Sequence, residues 1–200
     1  MTVDPLVLMT DVEAATERLL RTAEDLDPTR VSEPSLLPGW TVGHVLTHLA
    51  RNADSVVRRL DGAARGVIVD QYPGGADGRA ADIESGARRP AADLVADVAA
   101  SCAAVESACD SVPTDAWANL TRGVGGDEVP DHAVVFSRWR EVEIHHADLG
   151  LGHSPADWPA DLVDTCLPRV VRSLPARTDP NALLAWSLGR GPAPELTPWG

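Results

Sequence analysis

Two hundred residues suffice for one domain, or one domain with a modest appendage, and for a core that needs no disulfide or metal staple. A formal net charge of -13 and a pI near 4.7 argue against nucleic acid or an anionic membrane as partner, since both demand a basic face, and leave a small-molecule substrate. All 17 basic side chains are Arg, which excludes lysine Schiff-base chemistry, and the Arg, Ala and Gly bias suggests a GC-rich bacterial genome.

The start, Met1 to Leu6, lacks the basic and apolar segments of a signal peptide, and no run of about 18 apolar residues occurs, so the expected location is cytoplasmic. Thr10-Asp11-Val12-Glu13 reads as a capping box, and Ala15, Leu19, Leu20, Ala23 and Leu26 follow as an apolar stripe. They predict a first helix that Pro28 ends. Thr41 then caps a second helix with Val42, Val45, Leu46, Leu49, Ala53, Val56 and Leu60 on its apolar side, stopping near Gly62. Tyr72-Pro73-Gly74-Gly75 is a turn, Ala80 to Ala87 a short helix, and Pro90 opens a long helix through Val112. Cys102 and Cys109 share one face of that helix and read as core thiols rather than a redox pair.

Gly123, Gly125 and Gly126 mark a loop with room for a small hairpin, and Pro130 is expected at the first position of a helix that Gly150 ends. A further helix follows Pro159, with Pro168 expected to kink or break it, and Asp179-Pro180 opens a short last helix that Gly189 closes. The predicted fold is all-α: an antiparallel bundle of four principal helices over residues 1–158, with a short helical extension over 159–200.

Two segments of this pattern carry chemistry. His44, His48, Arg51, Asn52 and Ser55 share a strip of the second helix. Unpaired, such groups inside a bundle would cost roughly 2–7 kcal/mol each, and a metal ion would satisfy them. On the helix before Gly150, Glu141 and His145 stand four apart with Asp148 one turn on, whereas Glu143 and His146 point elsewhere. Two imidazoles facing a carboxylate and an imidazole make the nitrogen and oxygen set that a zinc-like cation prefers. The competing reading is ordinary hydrogen bonding, with one His buried and one exposed near a helix start.

The run from Leu37 to Ala53, containing Pro38-Gly39-Trp40 and His44-Val45-Leu46-Thr47-His48, resembles the second-helix signature of the mycothiol-dependent maleylpyruvate isomerase family, whose N-terminal domain has the DinB-like metal-binding four-helix fold. Arg138 to Gly150 resembles its later helix, Tyr72-Pro73 with Arg79 and Ile83 to Ala87 the segment between, and Leu183 to Gly191 its closing helix. The resemblance implies metal ligation by His48, Glu141 and His145, with His44 a neighbour of the site rather than a ligand. It implies a divalent cation, zinc by preference, and mycothiol as cofactors, and places Arg79 and Arg190 as anchors for substrate carboxylates. It departs where the isomerases insert an α/β domain, for which this chain has about one helix.

Three protein ligands leave open positions, as in a catalytic rather than a structural site. A coordinated thiol would lose its proton, and its thiolate would add to an electrophile such as a cis enone acid. Asn52 and His44 are candidates for the thiol-binding side; Asn52 otherwise bonds a neighbouring backbone, and each Arg otherwise reads as a solvated surface residue. Asp148 is placed either to orient a ligating His or to cap the helix, and Trp40 to staple the end of the bundle. The expected function is isomerisation or S-transfer with a low-molecular-weight thiol, by a monomer or homodimer. Metal-assisted hydrolysis and a non-catalytic metal-binding stress module are the alternatives.

Overall fold

Leu8, Met9, Val12, Ala15, Leu19 and Ala23 fall at helical spacing and are all buried, so α1 runs Pro5–Glu24 in the computed structural model, which describes residues 5–130 and 132–197. Thr10 is therefore inside the helix rather than at its cap. The physical reason is one of size: burying Leu8 and Met9 is worth about 1.5–3 kcal/mol each, against about 1 for a cap at Thr10. The helix also closes sooner than expected, and Asp27 instead caps a 3-10 turn, Pro28–Ser32, by accepting from Thr29 N at 2.9 Å.

Helix α2 spans Val42–Ala64 and starts at Thr41 in a capping box with His44 in the place usually held by Glu. Helix α3 covers Gly75–Gly86, five residues longer at its start than the sequence suggests, because Gly74 takes a left-handed conformation (φ 74°) that turns the chain into it. Helix α4 spans Ala91–Ser111 and buries both Cys102 and Cys109. A hairpin follows, β1 Leu120–Arg122 and β2 Glu128–Pro130, with Leu120 opposite Pro130. Pro130 thus ends a strand instead of opening a helix, a place where its missing N–H costs no ladder bond. Helix α5 is His132–Asp148, and Gly150 (φ 67°) ends it as expected.

Neighbouring helices run α1, α4, α2, α5 and back to α1, the closed ring of a four-helix bundle, with α3 laid on α2. Two close approaches seat α3. A Cβ on Gly43 would lie 2.2 Å from the Ala87 carbonyl oxygen, and one on Gly86 would lie 2.5 Å from Thr47 Cγ2. Arg138, fully buried in α5, ties the middle of the bundle: one Nη donates to the Leu49 carbonyl at 2.9 Å and to Asn52 Oδ1 at 2.8 Å, the other to Cys102 Sγ at 3.2 Å.

A second compact unit comprises residues 157–200. In it α6, Ala160–Ser173, runs on through Pro168 instead of breaking there, and α7, Pro180–Ser187, is capped by Asp179 accepting from Ala182 N at 2.8 Å. Among the described residues, no helix is long and apolar enough to cross a membrane.

Candidate metal centre

The periodicity of α2 and α5 sends His48 from one and Glu141 and His145 from the other into the same space. His48 Nε2 lies 3.1 Å from Glu141 Oε2, and His145 Nε2 lies 3.4 Å from the same oxygen. Their ligand atoms all fall within 4.8 Å of one another. Donors around an ion at about 2.1 Å in tetrahedral array stand roughly 3.4 Å apart, so the observed spacing fits a zinc-sized cation.

Electrostatics within the cluster are uneven. Burial pulls the His48 imidazole down to about 4, so it is neutral near pH 7. Burial also acts to lower His145, but hydrogen bonds to Asp148 and Glu141 overcome it and raise that imidazole to about 9. For Glu141, burial works upward and is outweighed by the hydrogen bonds from His145 and His48, which hold the carboxyl well below its usual range. Without a cation, the Glu141 carboxylate is thus the anionic centre of the cluster, facing both rings.

The surroundings orient these ligands. His145 Nδ1 donates to Asp148 Oδ2 at 2.8 Å, leaving Nε2 to face Glu141, and Arg140 donates to Glu141 Oε1 at 3.1 Å, leaving Oε2 for the two rings. Arg79, projecting from α3, puts Nη2 3.3 Å from His48 Nδ1. Its guanidinium lies 6.0 Å from the Trp40 ring centre and 5.9 Å from that of Tyr72. Trp40 also meets the His48 ring edge-on at 5.6 Å. It is held there by a loop in which Ser35 N donates to the Trp40 carbonyl at 2.9 Å and Leu36 N to the Asp148 carbonyl at 2.9 Å.

The family profile of the mycothiol maleylpyruvate isomerase N-terminal domain matches residues 12–150, the stretch that carries all of these groups. The chain belongs to this family. A crystal structure of the mycothiol-dependent maleylpyruvate isomerase is similar to it at 27% identity and TM-score 0.78, over 82% of this chain and 68% of that one. A His-to-Ala mutant of that enzyme is similar at 26% identity with the same TM-score of 0.78 and the same coverage. No curated protein matches significantly. The fold is thus the all-α DinB-like bundle of the family, and the homologues are enzymes, isomerases.

The other residues singled out from the sequence lie as follows. His44 is engaged at both ring nitrogens, Nδ1 with Thr41 Oγ1 at 2.8 Å and Nε2 with Glu84 at 3.1 Å, and does not join the ligand cluster. Asn52 is buried with its carbonyl turned to Arg138. Arg190 is exposed, just past α7 in the second unit. Trp40 is a wall of the site as well as a staple, and Arg140 contacts a ligand directly. For Arg140 the signal is its position beside Glu141; for Trp40 it is its place in the second-helix signature, because a loop residue carries no periodicity to place it. A cavity of about 630 Å³, lined by Arg21, Thr22, Asp25, Arg30 and Gly150, includes none of the three ligand candidates.

Proposed function

We propose that this chain is a mycothiol-dependent isomerase of cis-enone diacids of the maleylpyruvate type, with a divalent cation, zinc by preference, held by His48, Glu141 and His145. The observation that carries the reading is the convergence of those three donors beside the Arg79 guanidinium. A cation held there would lower the pKa of a coordinated thiol, so that thiolate adds to the substrate double bond and leaves again after rotation.

The chain's own groups do the rest. Once His48 gives its Nε2 lone pair, its ring proton sits on Nδ1, 3.3 Å from Arg79. Arg79 then has no acceptor on that ring and turns its guanidinium to a substrate carboxylate, still flanked by Trp40 and Tyr72. His44 and Asn52 frame the site through Thr41, Glu84 and Arg138.

Elemental analysis of the purified protein, followed by maleylpyruvate turnover with and without mycothiol, tests this. Stoichiometric metal and thiol-dependent turnover are expected, with Arg79→Ala keeping the metal and losing about tenfold or more in kcat/KM, the worth of one charge-assisted hydrogen bond. Turnover without thiol, or no metal after reconstitution, would overturn the reading.

A further inference from the structure

One helical turn beyond His48 along α2, the polar strip continues into a cleft of about 270 Å³ whose walls include Arg51, Asp54, Ser55, Gln71, Tyr72 and Asp82. Tyr72 is common to both places: its buried ring lines the cleft and flanks the Arg79 guanidinium that touches His48. Helix α3 repeats the arrangement, with Arg79 at the metal cluster and Asp82, one turn on, at the cleft.

The lining is selective in kind. With Arg58, its charged side chains are two Arg and two Asp, so the cleft favours neither an anion nor a cation. It is rich in groups that recognise hydroxyls. Arg51 Nη2, held by Asp97 at 2.7 Å, sits 3.1 Å from Asp54 Oδ2, whose carboxylate borders the cleft. The Gln71 amide is fixed by its Oε1 accepting from Val124 N at 2.9 Å, which turns its Nε2 toward the Ser55 hydroxyl at 3.4 Å. Tyr72 and Pro73 supply the apolar surface against which the C–H face of a sugar packs. A neutral polyol meets these demands; a second diacid does not.

Distance completes the argument. His48 and Ser55 are seven residues apart, roughly 10 Å along α2. In a cysteinyl thiol amide-linked to a sugar, the sulfur lies about two residue lengths, roughly 7 Å, from the first ring. We propose that this cleft seats the hydroxylated carrier of the thiol, the glucosaminyl-inositol part of mycothiol, while its sulfur reaches the His48, Glu141 and His145 cluster. This rests on the function proposed above, and it assigns thiol selectivity to Asp54, Gln71 and Asp82.

The test is titration of cobalt-loaded protein with mycothiol and, separately, with N-acetylcysteine, following the sulfur-to-cobalt absorption band in wild type and in Asp54→Ala, Gln71→Ala and Asp82→Ala. Wild type should saturate at about 100-fold less mycothiol than N-acetylcysteine, and each variant should raise the mycothiol midpoint about tenfold while leaving N-acetylcysteine unmoved. The N-acetylcysteine curve also reports an intact fold. Should Gln71→Ala lose that fold with its bond to Val124, the exposed Asp82 decides. Equal midpoints for the two thiols, or variants that leave the mycothiol midpoint in place, would overturn the cleft assignment with thiol binding at the metal intact. A cobalt protein that shows no band with either thiol would remove the functional reading and this assignment with it.

Discussion

Helix α5 carries two Glu and His sets on opposite faces, and they have come to different ends. Toward α2, Glu141 and His145 meet His48, and three donor atoms converge with Glu141 and His145 partly open to solvent. Toward α1, fully buried Glu143 pairs with Arg18 and lies 3.5 Å from His153 Nε2, while His146 Nε2 lies 2.8 Å from Thr22 Oγ1. The His146 and His153 rings stack at 3.9 Å, nearly parallel at 2°. The residue types are the same; what differs is the partner each face meets. Both faces gain an imidazole, His153 on one and His48 on the other; on the first, Arg18 neutralises Glu143 and the Thr22 hydroxyl engages His146, whereas on the second His48, Glu141 and His145 bring their donor atoms together and leave a position for a cation.

The largest effect should come from separating the two faces by isosteric substitution. Glu141→Gln removes an anionic ligand and should take bound metal from stoichiometric to undetectable, with the helical fold kept because the core does not depend on the ion. Glu143→Gln should leave metal content where it was. Elemental analysis of both variants, with circular dichroism for fold, checks the contrast; equal metal loss in both would mean that the α1 face also serves the ion.

Stability should respond in the opposite sense. Arg18→Ala leaves the Glu143 carboxylate buried with its guanidinium partner gone, and breaking such a pair costs about 3 kcal/mol or more. Chemical denaturation should show that loss while the metal stays stoichiometric. A variant as stable as wild type would show that the partners left to Glu143, His153 among them, compensate for the guanidinium.

Much of this arrangement can be read from the chain, and the rest could not be for identifiable reasons. The apolar stripes of α1, α2 and α4 and the four-residue spacing of Glu141 and His145 are local properties of single helices, so periodicity finds them. Which of Glu141 and Glu143 meets an Arg that neutralises it across the bundle is decided by the partner helix. Spacing ranks the pairs but does not reveal that Arg18 and Thr22 of α1 await the second one. Trp40 and Tyr72 reach the site from loops and turns, where no period exists to place them. Pro130 was legible as a boundary and ambiguous in kind, because proline is equally at home at the end of a strand and at the start of a helix.

Within the metal face, the contact between His145 and Asp148 predicts a graded effect. Asp148→Asn keeps the size of the side chain but gives His145 Nδ1 a neutral acceptor in place of the carboxylate at 2.8 Å. Metal affinity should fall about 10–100-fold, as for other supports of a ligating imidazole. Competition with a chelator of known affinity measures it, and an unchanged constant would leave Asp148 as a helix cap alone.

The smallest contrast bears on how the helix that brings His48 to the site begins. Thr10 opens a capping-box pattern in the sequence and Thr41 reads as a simple cap, but it is Thr41 that stands at an N-cap, that of α2, with its Oγ1 2.8 Å from His44 Nδ1, whereas Thr10 is exposed inside α1. Thr41→Ala should therefore cost about 1 kcal/mol of stability, and Thr10→Ala less than about 0.5, since alanine is the better helix former at an exposed interior position. Urea denaturation of the two variants separates them. Thr41 also holds the His44 ring that reaches Glu84 on α3, so a loss well above about 1 kcal/mol would show that the contact between α2 and α3, which carries Arg79 to His48, adds to the cap.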